Sequence, residues 1–121
     1  MKNINYENCV DIVKNINNKI VAIIIISKDC TSCSNYINNS LKHIVEKYSD
    51  IFEVYLIENK DIPTSKIFPS VYTPISYFFI KNCDVFPIIR PGVANLNQLE
   101  NELLKFKLIL KGDKFEQVFS V

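Results

Sequence analysis

Tryptophan is missing from this 121-residue chain, and histidine, methionine and glycine are nearly so, at one, one and two copies. A single histidine leaves little for zinc: a Cys-x-x-Cys half-site wants a second Cys/His pair at close spacing. Here the remaining Cys9, Cys83 and His43 are far apart in sequence and unpaired. No apolar run exceeds the seven residues 20–26, well short of the roughly 20 needed to span a bilayer. The opening stretch MKNINYENCVDIVKN has no apolar segment of secretory type, so the expectation is a cytoplasmic, reducing setting where thiols stay reduced. Basic and acidic residues number 14 and 13 and are scattered, giving net +1. No basic stripe invites nucleic acid, and no acidic tail suggests a disordered arm. Repeats, linkers and low-complexity tracts are likewise lacking. What remains is an ordinary globular composition, 48% hydrophobic, that leads one to expect a single domain over 1–121.

Elements alternate along the chain. Residues 5–18 place Tyr6, Cys9, Val10, Val13 and Ile16 at helical spacing. The β-branched run Ile20–Ile26 reads as a buried strand, and residues 32–48 as a long helix with an inner stripe of Leu41, Ile44, Val45 and Tyr48. A second strand is expected over 51–57. Pro63 and Pro69 then allow at most a short helix near 64–68. Strands over 75–80 and 85–89 flank the turn-like Lys81-Asn82-Cys83-Asp84, which predicts an antiparallel hairpin. Leu96 to Leu110 closes as a helix with Leu96, Leu99, Leu103 and Phe106 on one face. Strands 20–26 and 51–57, joined by a helix, predict a right-handed parallel βαβ unit.

Cys30-Thr31-Ser32-Cys33 follows the first of these strands directly and opens the long helix. Spacing of i and i+3 puts both sulfurs on one helical face, with Cα atoms about 5–5.5 Å apart, within reach of a disulfide. Unpaired N–H groups at the helix start favour thiolate at Cys30. Three readings stand at this point: a redox dithiol, half of a metal site, or an inert pair. A structural disulfide closing so short a loop would stabilise weakly.

The order βαβ, proline-bearing loop, hairpin and closing helix, with CxxC after the first central strand, resembles the thioredoxin family. Thr73-Pro74 opens the hairpin strand where that family places its active-site cis-proline. The run Phe79-Ile80-Lys81-Asn82-Cys83-Asp84-Val85 is similar to the family's FKNGxV hairpin, and Arg90-Pro91-Gly92-Val93 to its later glycine site. The resemblance covers about residues 19–107. It implies an α/β, thioredoxin-like fold with a central mixed sheet of four to five strands flanked by helices. It further implies a protein-disulfide oxidoreductase with no bound cofactor and no metal, served by a dithiol reductase such as thioredoxin reductase. Cys30 would then be the nucleophile and Cys33 the resolving thiol, joined as the redox-active disulfide. Pro74, in cis, would pack on the dithiol, and Thr73 and Gly92 would meet the substrate. Against these roles stand plainer readings: Pro74 as a trans proline starting a strand, and Gly92 as a turn glycine with positive φ.

Five positions depart from the family pattern. Asp29 replaces the tryptophan before the first cysteine, and Thr31-Ser32 replaces Gly-Pro between the two. Ile24 stands where the family keeps a buried aspartate, and Tyr55 where the resemblance puts that aspartate's lysine partner. These changes keep a second class open, a thioredoxin-fold binding or accessory module whose dithiol is slow or vestigial. An oxidase or isomerase of an oxidising compartment is a third reading, with no export signal to support it. Cys9 reads as core packing, Cys83 as an inert turn thiol or a regulatory one, and His43 as surface. The extension 111–121, with Gly112 as a helix stop and Phe115, Val118 and Phe119 as its apolar residues, reads as a docked segment or a partner contact.

Overall fold

Ile20–Ile26 forms the central strand, its first six residues buried, as a β-branched run flanked on both sides by other strands must be. The computed structural model describes residues 1–62, 73–80, 88–112 and 118. In chain order these give β1 (Lys2–Asn3), α1 (Tyr6–Lys14), β2 (Ile20–Ile26) and α2 (Thr31–Tyr36). A π-helical turn (Ile37–Leu41) leads into α3 (Lys42–Lys47), then β3 (Phe52–Glu58) and a short 3-10 turn (Asn59–Asp61). β4 (Ile75–Ile80), β5 (Ile88–Pro91) and α4 (Leu96–Leu110) complete the set.

The five strands form one mixed sheet in the order β1-β3-β2-β4-β5. β3 runs parallel to both β1 and β2, whereas β4 is antiparallel to β2 and to β5. Period-two alternation divides the core between the two faces. Ile20, Ala22 and Ile24 of β2, with Phe52, Val54 and Leu56 of β3 and Phe78 of β4, pack with Tyr36, Leu41, Ile44, Leu99, Leu103 and Phe106. Val21, Ile23, Ile25, Ile57, Ile75 and Tyr77 pack on the other face with Cys9, Tyr6, Ile12 and Val13. Helices thus cover both faces, the α/β architecture expected.

Differences from expectation have local causes. α1 stops at Lys14, short of 18, because Asn15 caps it: its backbone N–H donates to the Ile12 carbonyl and its Nδ2 to the Asp11 carbonyl. The long helix is interrupted by the π turn, and β3 starts one residue later than expected because the Ile51 N–H is held by the Tyr48 carbonyl. Leu96 is exposed at the first position of α4, outside the stripe that Leu99, Leu103 and Phe106 bury. Gly112 follows α4 at φ 111°, its N–H donating to the Ile109 carbonyl, and Val118 packs against the core on the α4 side. The short helix near 64–68, the hairpin turn with Cys83, residues 85–87 of the fourth strand, and Phe115 and Phe119 lie outside the described residues.

Candidate active site

Cys30 and Cys33 are joined as a disulfide, with Cα atoms 5.2 Å apart. Cys30 is the N-cap of α2 in extended conformation, and its Sγ accepts the Cys33 N–H at 3.1 Å. That bond satisfies one orphan donor of the helix start and gives Cys30 sulfur the environment that stabilises negative charge. Cys30 is half-buried, whereas Cys33, one turn further on, is 2% exposed. Ser32 Oγ lies 3.2 Å from the Cys30 sulfur on the open side. Asp29 and Lys28 are both exposed in the preceding turn.

A second segment meets the dithiol from β4. The Thr73–Pro74 peptide bond is cis, Pro74 is buried, and the Thr73 carbonyl oxygen lies 3.8 Å from Cys30 Sγ. Ser27, at the end of β2, bonds its hydroxyl to that of Thr73 at 2.9 Å. Gly92 closes the group: its N–H donates to the Pro74 carbonyl at 2.8 Å. It adopts φ 79°, and a Cβ there would meet nothing within 4 Å. Gly92 is therefore a turn glycine by its dihedral, and it also sits beside the proline. Cys30, Cys33, Thr73, Pro74 and Gly92 all converge at this end of the sheet.

Beneath the site the departures take a definite form. Ile24 is fully buried and pairs in register with Leu56 of β3 and Ser76 of β4. Tyr55 does not stand near it: alternation puts Val54 and Leu56 on the Ile24 face and turns Tyr55 to the opposite one. There the Tyr55 hydroxyl donates to Glu53 at 2.9 Å, and burial, with the Glu53 hydrogen bond and charge behind it, pushes its ionisation up. Lys19, 2.7 Å from Glu53, holds that carboxyl below the usual range. These three line a cleft of about 470 Å³ with Asp11 and Asn15 that shares no residue with the dithiol.

The polar groups on the dithiol face are ones the sequence did not single out. Tyr36 and Ser76 are buried at 2% and 0% exposure. Burial raises the ionisation of Tyr36, which Ser76 and the charge of Arg90 partly oppose. Arg90 pairs in register with Ser76 and is ion-paired with Glu102 of α4. No pattern in the sequence marks Tyr36, Ser76 or Glu102, and the pairing of β4 with β5 is what sets Arg90 opposite Ser76. His43 is exposed, and Cys9 is a buried core thiol on the far face. Among the described residues, no three His, Cys, Asp or Glu side chains gather as a metal set would require.

Chloroplastic thioredoxin z superposes with a TM-score of 0.79 at 13% identity, over 89% of this chain and 95% of that one. The chain has the thioredoxin fold. The germline-specific thioredoxin Deadhead of Drosophila melanogaster superposes with a TM-score of 0.63 at 18% identity, covering 83% of this chain and 90% of that one. No family model matches the sequence, and no curated protein matches it. The thioredoxin fold and a CxxC pair at bonding distance together mark this end of the sheet as a candidate redox site.

Proposed function

We propose that the protein exchanges disulfides with other proteins, as a reductase of thioredoxin type acting through Cys30 and Cys33. The carrying observation is the asymmetry of the pair: Cys30 half-buried at a helix start, Cys33 almost wholly buried one turn behind it. Cys30 thiolate attacks a substrate disulfide, forms a mixed disulfide and releases one substrate sulfur, which takes up a proton. Cys33 then gives up its proton and attacks the Cys30 sulfur, so the internal disulfide forms and the second substrate thiol leaves. Two electrons have passed to the substrate, and a dithiol reductase such as thioredoxin reductase restores the pair. Thr73, through its backbone, and Gly92 offer the edge along which an extended substrate segment would lie, and Pro74 shapes the floor. The chain acts as one domain with its extension 111–121, needs no cofactor and works in the cytoplasm as part of thiol redox balance.

A non-catalytic binding or accessory role is the second reading. It is favoured by Ile24, which leaves no carboxylate at that buried position, and by Asp29 beside the nucleophile, since a like charge opposes thiolate formation. Reduction of insulin disulfides separates the two. Turnover by the wild type and none by Cys33→Ser supports exchange chemistry. No turnover with any reductant supports the accessory role.

A further inference from the structure

The backbone ladder between β2 and β4 ends at the pair Ile25 and Ile75. Pro74, the next residue back from β4, has no N–H with which to extend it. Continuing the same register sets Ser27, just past the end of β2, opposite Thr73. There a side-chain rung takes over: the two hydroxyls bond at 2.9 Å, part-buried, a pairing that Ser and Thr make across strands. Ser27 also opens the turn that delivers the nucleophile, its carbonyl accepting the Cys30 N–H at 3.3 Å across Lys28 and Asp29. One residue thus grips the Cys30 turn through its backbone and the Thr73 segment through its side chain. We propose that Ser27 is a positioning residue, whose hydroxyl fixes the Thr73 main chain beside Cys30 and so aligns an incoming protein disulfide.

This rests on the exchange reaction proposed above, in which an extended substrate segment lies along Thr73 and Gly92. Two bonds hold that edge from opposite sides. Gly92 donates its N–H to the Pro74 carbonyl at 2.8 Å from β5, and Ser27 bonds Thr73 from β2. Between them the Thr73 carbonyl oxygen stands 3.8 Å from Cys30 Sγ, so whatever moves Thr73 moves the ground beside the attacking atom. A misplacement of about 1 Å in a bound reactant is enough to slow its attack. A small disulfide that touches only the Cys30 sulfur makes no use of the edge, whereas a protein segment does. The two kinds of substrate should therefore respond differently when the Ser27 hydroxyl is lost.

The test mixes reduced full-length chain, as wild type, Ser27→Ala and Ser27→Thr, with insulin or with a small aromatic disulfide. The rate seen with Cys30→Ser is subtracted in each case. Ser27→Ala should slow the insulin reaction about fivefold relative to the small disulfide, the factor that one ordinary hydrogen bond commands. Ser27→Thr, which keeps a hydroxyl, should restore the wild-type ratio. A ratio unmoved by Ser27→Ala, whether both rates hold or both fall together, overturns the inference. Should the wild type reduce no protein disulfide, the exchange reading falls, and amide hydrogen exchange at Gly92 decides the assignment by itself. Faster exchange there in Ser27→Ala, with wild-type exchange in Ser27→Thr, keeps Ser27 as the residue that holds Thr73 and Pro74. Exchange at Gly92 that is unchanged in Ser27→Ala overturns it.

Discussion

Raising the pH should destabilise the protein through one buried thiol that takes no part in the proposed chemistry. Cys9 is 2% exposed between α1 and the sheet, among Val21, Ile23, Ile57 and Tyr77. Burial pushes it from an ordinary 9.0 up to about 11. The folded state therefore favours the neutral thiol, and this contribution to stability is complete below the unfolded value of 9.0. It erodes as the pH climbs between the two values and is gone above the folded one. Two pH units correspond to about 2.7 kcal/mol in full, of which about 2 kcal/mol is lost by about pH 10.5. Urea unfolding with reductant present, for wild type and Cys9→Ala at about pH 8 and about pH 10.5, measures it. Cys9→Ala carries a cavity cost that does not depend on pH, and tyrosine ionisation cancels between the two proteins. The stability gap between them should narrow by about 2 kcal/mol at the higher pH. An unchanged gap would refute the claim that burial holds this thiol neutral.

Three further outcomes are expected. Gly92→Ala should lower stability by about 1 kcal/mol, seen as a reduced urea midpoint, because φ 79° is strained for a side chain while the space around it is open. Phe78→Ala should cost about 3–5 kcal/mol by the same assay, since its ring lies 4.9 Å from that of Phe106 and 6.5 Å from that of Phe52 in the main core. Lys19→Met should raise the Glu53 carboxyl toward its ordinary 4.5, followed by NMR titration. Because that carboxyl is depressed in the fold, its contribution is present above 4.5 and lost as pH falls through the folded value. The half-exposed pair should be worth less than about 1 kcal/mol.

Much of this was legible where one segment carries its own signal. β2 and β4 start and stop where the apolar runs do, and α4 runs from Leu96 to Leu110 as its periodicity requires. β1 was not legible: Lys2 and Asn3 have no pattern, and only pairing with Tyr55 and Leu56 makes them a strand. The stripe from Leu41 to Ile44 reads the same through an α or a π turn, so the interruption at 37–41 left no trace. At the site, the cysteine pair declares itself through a spacing of three residues. Tyr55 was misplaced because a one-residue slip in a strand exchanges the faces, and aligning to a family cannot fix that by itself. Tyr36 and Ser76 went unnoticed since a lone tyrosine or serine in an apolar stripe looks like core until its neighbours are known.

The reactive pair is local, but its platform is not. Ser27, Thr73, Pro74 and Gly92 hold one another across 46 residues from the first to the second and 18 from Pro74 to Gly92. A partly folded or truncated chain can therefore still close the Cys30–Cys33 bond, yet it lacks the surface that would choose what the sulfur meets. Under the proposed exchange, selectivity would arrive only once β5 has formed, so an unfinished copy would behave as an unguided thiol.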